Sequence, residues 1–443
     1  MSKTFRAWDV DQVWLLPPSI HDFVPAGHPA HLVRELVRHE LDLSAILADY
    51  DEARGQPPDH PAMMVALLLY AFTQGLYASR RIARACEERL DVMAVTGMQR
   101  PDFRTISDFR KRHLAALAAL FVQVLRLCHK AGLVKLGHVA LDGTKIKANA
   151  SRHKAMSYGR MGEAEAALAS EVEGWLARAE REDGADDAAH GHERRGDELP
   201  GWVADQQARL ARLRAARAAL EAEARADPPP PDAEPGPSSG MSDHGRPRRA
   251  QDGGPPARAQ RNFTDPDSRI LKTRDGFIQG YNGQLAVDAA RQIIVAQRLT
   301  CNGSDQAGLV PLLDAARAAL GRKPREISAD AGFCREDNLA ALAARGIRGY
   351  LAPGRAAHGA PDPSGRRRLQ PGSGLAAMAA RLKRAGRRSR YRLRKQTVEP
   401  VIGQIKQARG WRQFLLRGPK VEAEWALICT AHNLTKLLAA RRA

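Results

Sequence analysis

Glu326-Ile-Ser-Ala-Asp330-Ala-Gly332-Phe333 reads as a strand that stops on a carboxylate. Glu326 to Ala329 alternates polar with small or apolar residues, Ala331-Gly332 breaks the alternation, and Arg335 to Arg345 is helical in composition. A carboxylate at the edge of a buried strand is costly unless it is paired, hydrogen-bonded or on a metal. It can also simply cap the helix that follows. A second copy of the layout favours a functional role. Gly137-His-Val-Ala-Leu-Asp142-Gly143-Thr144 is again a short apolar strand that ends on Asp and then Gly. A third carboxylate, Glu399, lies in Thr397-Val-Glu-Pro-Val-Ile-Gly-Gln-Ile-Lys406. Pro400 suits a first helical turn, so the helix is expected to start with Thr397 as its N-cap. Two strand-end Asp and a helix Glu can converge on metal ions.

Working outward, Gly280 to Asp288 and Gln292 to Thr300 read as two strands joined by a turn at Ala289 to Arg291. Asp305 to Leu320 is helical, with Pro311 in its early turns, and Gly349 to Ala352 is a last short strand. The order is strand, insertion, strand, strand, helix, strand, helix, strand. It gives an α/β architecture, a mixed sheet with helices on its faces. If the first and fourth strands lie side by side and parallel, Asp142 comes near Asp330.

The chain has 443 residues, 44% of them hydrophobic, and a net charge of +19. The length allows two or three domains. Such a surplus of positive charge implies a polyanionic partner, with nucleic acid ahead of a membrane surface. The apolar run Met63 to Phe72 is too short to span a bilayer, and Met-Ser-Lys-Thr-Phe-Arg lacks a signal-peptide core. Five scattered Cys with no CxxC pair argue against a disulfide framework or a zinc site. A cytoplasmic nucleic-acid protein is the expectation.

The first 30 residues are irregular, and Trp8 and Trp14 are expected to pack that arm onto a domain. Helices are expected from His31 to about Ala48, from Met63 to Phe72, and from Ser79 to Leu90 with Ser79 as N-cap. Another runs from Pro101 through Arg112 to Ala131. Arg80, Arg81 and Arg84 mark a basic face. It is either a DNA-docking surface of helix-turn-helix type or a solvated surface. Lys145 and Lys147, beside Asp142, can neutralise a phosphate or be ordinary strand-edge lysines.

Glu163 to Ala224 reads as a helical hairpin, with a loose charged stretch from Glu182 to Asp197. Asp227 to Pro256, rich in Pro and Gly, is expected to be disordered. Together these form an insertion into a domain that resumes near Phe263. From Arg381 to Lys395 there are nine Lys or Arg and no acid, just ahead of Glu399, which favours phosphate contact over a merely solvated run. Lys406 lies two turns beyond Glu399 and on the same helical face, so the pair can serve a metal and a phosphate, or a surface salt bridge. Glu422 to Ala439 is a final amphipathic helix.

At these residues the chain resembles the DDE transposases of bacterial insertion sequences. The likeness is carried by Asp142-Gly-Thr, Asp330-Ala-Gly-Phe and the block Tyr391 to Lys406. In the N-terminal part it is carried by Leu15-Leu-Pro-Pro18, Leu67-Leu-Leu-Tyr70 and Arg100-Pro-Asp-Phe-Arg-Thr-Ile-Ser-Asp-Phe-Arg110. Asn262 to Arg269 and Gly280-Tyr-Asn282 also look familial. The family writes its last block as Tyr, two residues, Arg, three residues, Glu, six residues, Lys. Here Tyr391, Arg394, Glu399 and Lys406 match in type, but Arg394 to Glu399 is one residue longer, and Lys395 stands at the strict position.

The resemblance implies an RNase H-like catalytic core interrupted by the insertion, behind an all-helical N-terminal domain. The boundaries are then 1–132 for DNA-end binding, 133–150 with 262–443 for catalysis, and 151–261 for the insertion. It implies that Asp142, Asp330 and Glu399 bind two Mg²⁺ ions, for which Mn²⁺ can substitute. Tyr391, Arg394 or Lys395, and Lys406 would hold the phosphates of terminal DNA, with Lys145 close by. Trp175 or Trp202 would stack on a displaced base, unless both are core residues of the hairpin. The partners are double-stranded DNA, both element ends and target, and a second copy of the chain in the DNA complex, with no membrane. The site of action is the bacterial nucleoid. The rival readings are a nuclease that cuts without joining and a non-catalytic DNA-binding repressor.

Overall fold

The computed structural model describes residues 19–50, 58–190, 201–226, 254–273, 275–354, 369–385 and 389–442. The Trp8–Trp14 arm, Leu15-Leu-Pro-Pro18 and nearly all of the segment expected to be disordered lie outside them, as do the side chains of Trp175 and Trp202.

Six strands build the central sheet: β1 (His138–Lys147), β2 (Arg269–Thr273), β3 (Gly276–Asp288), β4 (Ile293–Thr300), β5 (Glu326–Ala329) and β6 (Arg348–Leu351). β3 lies antiparallel to β1 on one side and to β2 and β4 on the other. β5 joins the far edge of β1, and β6 the far edge of β5, both parallel. This is the mixed, RNase H-like sheet that the sequence led us to expect, with the first and fourth strands neighbours.

β1 does not end on Asp142. It runs on through Lys147, because Thr144, Ile146 and the alternating lysines continue the pairing with β3 as far as Gly280. What ends near Asp142 is the partner on the other side. The last matched pair of β1 and β5 is Leu141 with Ala329. Asp142 and Asp330 are the next residues of two adjacent parallel strands.

The N-terminal region is helical: α1 (Pro29–His39), α2 (Pro61–Thr73), α3 (Ser79–Glu88), α4 (Leu90–Thr96), α5 (Phe103–Arg112) and α6 (Leu114–Lys130). It is more broken than its composition suggests. α1 stops at His39, and Leu41 and Leu43 enter the core from a loop before a short helical turn at Ser44–Leu47. Ala78, not Ser79, is the N-cap of α3. α5, capped by the Asp102 carboxylate, turns 75° at His113 into α6 instead of continuing. Among the described residues no single helix is long and apolar enough to cross a membrane.

The insertion is a pair of helices, α7 (Tyr158–His190) and α8 (Gly201–Ala226), with a small core of its own around Met161, Leu168, Leu213 and Leu220. α7 continues through Glu182 to His190, so that stretch is helical, and 191–197 lies outside the described residues. α9 (Leu309–Leu320) and α10 (Glu336–Ala344) follow their strands, and α11 (Gly374–Ala385) adds a helix that the Gly- and Arg-rich composition hid. α12 (Leu393–Gly403) and α13 (Lys420–Arg442) complete the chain. α13 carries Trp425, Leu427, Ile428 and Leu434 into one continuous apolar core shared by the N-terminal helices and the sheet.

α12 begins at Leu393, so Thr397 is a buried interior residue and Glu399 sits mid-helix. Pro400 is therefore inside the helix, where it cannot donate to the Gln396 carbonyl one turn back. The Gln292 side-chain amide donates to that carbonyl instead, at 3.2 Å. After Gly403 the helix widens into a π-turn over Gln404–Ala408, which carries Lys406.

Candidate active site

The register of β1 and β5 brings two carboxylates to one edge. Asp142 Oδ1 accepts the N–H of Gly143 at 2.9 Å, and Asp330 Oδ1 accepts that of Gly332 at 2.9 Å. Asp330 thus does cap a turn, a single 3-10 turn over Ala331–Phe333, while also facing the site. α12 lies across β1 and supplies the third acid. Arg394, five residues before Glu399, ties the set together: its Nη1 donates to Asp142 Oδ2 at 2.5 Å, and its Nη2 lies 3.4 Å from Glu399 Oε1. The Nε of Arg394 is buried and has no hydrogen-bond partner among the described residues.

The electrostatics follow from burial. Loss of solvent pushes the Asp142 carboxyl up to about 7 against the pull of Arg394, with Asp330 and Asp305 adding like charge. Burial likewise raises the Tyr391 hydroxyl beside Arg394. The ammonium of Lys406 donates to the Lys145 carbonyl at 2.7 Å, and burial lowers its pKa to about 8. So Asp142, Asp330, Glu399, Tyr391 and Arg394 gather at one site, and Lys406 reaches the same strand three residues past Asp142. Lys395 is exposed on α12, and the Lys145 ammonium turns away to the Lys272 carbonyl at 3.0 Å. This makes Arg394, not Lys395, the residue that contacts the acids.

Sequence reading passed over Asp305. Its Oδ1 accepts Asn282 Nδ2 at 2.7 Å and Gln284 Nε2 at 2.9 Å. A Cβ placed on Gly143 would lie 2.3 Å from that oxygen, so a side chain beside Asp142 would have to displace the Asp305 carboxylate. The available signal was an Asp shortly after a strand, as in the other two cases.

All of these donors are carboxylate oxygens, the ligands that Mg²⁺ and Mn²⁺ prefer. Among the described residues no three His, Cys, Asp or Glu side chains are drawn together tightly enough to hold one ion, and Arg394 serves as the local cation. The residues fit such an ion in kind, with Arg394 in a place that the ion would contest.

A family model described as a transposase domain matches residues 18–112, and one described as a transposase DDE domain matches residues 258–434. The chain belongs to the DDE transposases of insertion sequences. No curated protein and no solved structure matches it. In this transposase Asp330 and Glu399 fall inside the DDE match, whereas Asp142 lies between the two matched segments. The strand register, not the family match, ties Asp142 to Asp330, and Arg394 links it to Glu399. The family brings with it DNA as partner and divalent metal ions as cofactors.

Proposed function

We propose that the chain cuts DNA at the ends of a mobile element and joins them to target DNA, with Asp142, Asp330 and Glu399 as its catalytic carboxylates. The observation that carries this reading is the register that sets Asp142 and Asp330 side by side, with Glu399 linked to Asp142 through Arg394. Bound by these oxygens, two Mg²⁺ or Mn²⁺ ions would activate water or a 3′-hydroxyl for in-line attack on a phosphodiester and stabilise the leaving oxygen.

The chain's own residues do the rest. The acids concentrate negative charge in a partly desolvated edge of the sheet. Arg394, once its carboxylates have another cation, is freed to hold phosphate oxygens through its planar fork. Tyr391 and Lys406 flank it, and Lys395 and Lys145 extend the positive surface along the DNA. The exposed Arg80, Arg81, Arg84 and Arg104, with Arg80 stacked 5.0 Å over Phe103, offer a basic face on α3 and α5 for the element's ends. We assign 1–132 to end binding, 133–150 with 262–443 to catalysis and 151–261 to the insertion. Pairing of two ends calls for a homodimer on DNA at the nucleoid.

The test is Mg²⁺-dependent cleavage and strand transfer on DNA carrying the element's ends, wild type beside Asp142→Ala, Asp330→Ala and Glu399→Ala. Loss of activity in all three with DNA binding kept supports the assignment. Activity that survives one substitution removes that residue from the set. Cleavage without joining would mean a nuclease, and tight end binding by an inactive wild type would mean a repressor.

A further inference from the structure

We propose that the cationic groove along the free edge of β6 holds the backbone of target DNA and leads it to the candidate active site. The inference rests on the reading of the chain as one that joins DNA ends to a target, and it adds the surface on which that target lies.

β6 is the last strand on its side of the sheet. Between it and helices α10 and α11 lies a groove of about 760 Å³. Its floor is apolar, made by Leu339, Leu342, Ile347 and Met378, and Arg325, Arg348, Arg381 and Arg390 stand around it. Among the described residues its one acid is Glu326, which is buried. Glu326 Oε1 accepts Arg348 Nη1 at 3.1 Å, and its Oε2 accepts Arg390 Nη1 at 2.8 Å. These pairs fix where the two guanidinium groups stand without using them up, since the Arg348 and Arg390 side chains stay 66% and 56% exposed. Arg381 is placed by a bond to the Gly349 carbonyl at 3.2 Å. Arg325 is exposed. Four guanidinium groups therefore face one carboxylate.

A second cleft, of about 530 Å³, meets the first at Ile347. Arg317, Arg322, Lys323 and Arg345 line it, and its acid, Asp314, is held by Arg345 at 3.1 and 3.2 Å. Glu336, beside the first groove, is turned onto the N–H groups of Gly374 and Leu375. The acids along this track are thus already engaged, and the cations outnumber them. A merely solvated charged surface has no reason to be concave or to anchor its arginines on a buried carboxylate. Fixed guanidinium forks around a groove suit phosphate oxygens. Neither cleft is lined by Asn, Gln, Ser or Thr. Contacts to phosphates position a duplex and carry no sequence information. DNA taken without regard to sequence is the target, whereas the element's own ends must be recognised.

The groove also lies on the way to the acids. β5 starts at Glu326 and gives way to Asp330 four residues on, about 13 Å at the rise of a strand. Arg390, in the groove, and Arg394, on Asp142, stand on consecutive helical segments about one turn apart. Phosphates of one DNA strand advance about 3.4 Å each along the duplex axis, so the groove takes phosphates about four base pairs from the bond attacked.

The test is binding of the full chain, without metal, to a short duplex of arbitrary sequence, followed by fluorescence anisotropy over a range of salt. Arg325→Ala combined with Arg381→Ala removes two contacts and leaves both Glu326 pairs intact. The slope of log affinity against log salt is expected to shrink by about 2, with the thermal midpoint unchanged. A wild-type slope in the double variant overturns the proposal. A measurement on the unaltered chain guards against misfolding. Phenylglyoxal, which modifies accessible arginines, should label Arg325 and Arg381, and the same duplex should suppress that labelling. Labelling that the duplex leaves untouched overturns the proposal, and suppression by poly-glutamate alone does so too, by pointing to an acidic protein as the occupant. Neither readout needs metal or strand cleavage. Failure here leaves the catalytic reading of Asp142, Asp330 and Glu399 standing, and failure of that reading leaves these outcomes unchanged.

Discussion

Glu424 and Asp288, on one side, and Asp142, on the other, are carboxylates withdrawn from water in opposite ways. Glu424 is 2% exposed, and its oxygens accept the N–H groups of Leu415 at 3.0 and 3.1 Å and of Leu416 at 2.9 Å. Asp288 is fully buried and accepts the N–H groups of Lys135, Leu136 and Ala290. Their partners are peptide groups fixed by the fold. The Asp142 side chain keeps 14% exposure and has one adjacent N–H and one guanidinium on a flexible stem. Backbone donors cannot be exchanged for anything else, whereas a guanidinium can give way to another cation. The first arrangement holds the fold together, and the second leaves a carboxylate whose partner can be replaced by another cation.

The sharpest way to break this contrast is to measure turnover. Asp142→Ala, Asp330→Ala or Glu399→Ala should each lower strand cleavage by roughly a thousandfold or more while gel-shift affinity for end DNA holds. A mild loss in any of them would return that acid to a structural role. Acid titration probes the fixed kind of centre. The His432 ring donates through Nε2 to the Gln292 carbonyl at 2.9 Å and accepts from Arg409 through Nδ1 at 2.8 Å. Burial, with Arg409 adding, holds its pKa down to about 3. An unfolded-chain His titrates near 6.5, so between these values the unfolded state binds more protons. Stability should fall as pH drops from about 6.5 to about 3, on the order of 4 kcal/mol from this group. A urea midpoint that His432→Asn leaves with the same acid limb would refute the assignment.

Glu424→Gln should cost about 2–3 kcal/mol in urea unfolding, because an amide N–H would face a backbone N–H that cannot turn away. Unchanged stability there would erase the distinction drawn above. The smallest expected effect is that of Asp142→Asn, within about 1 kcal/mol of wild type, since it loses the Arg394 pair but also relieves crowding by Asp330 and Asp305. A loss as large as that of Glu424→Gln would make Asp142 a structural acid after all.

The sheet was legible because its strands are short apolar runs bounded by Gly and Asp, as at Glu326 to Asp330. The order of elements allowed the first and fourth strands to be parallel neighbours, and the register shows that they are. What escaped was decided by partners distant in sequence. Pro400 looked like a helix start because the rescue of the Gln396 carbonyl comes from Gln292 in another element. Asp305 was passed over because Asn282 and Gln284, which claim it, lie on β3. The bend at His113 is likewise invisible in periodicity, since Asp49 and Tyr50 contact the ring from a loop far upstream. Tyr391 and Arg394 were readable through the resemblance to the family's last block and Glu399 as a carboxylate on the adjoining helix, but Arg394 as a bridge between two acids was not.

α13 has a bearing on how the molecule is made. Its Trp425, Leu427, Ile428 and Leu434 complete a core begun by residues as early as Val24. A chain emerging from the ribosome therefore holds its N-terminal helices and its sheet without their common partner until synthesis has passed Leu438. Until then those apolar faces stay open to chaperones or to solvent, and the acids on β1 and α12 have no settled frame. Assembly of this edge of the sheet therefore waits until α13 has been made.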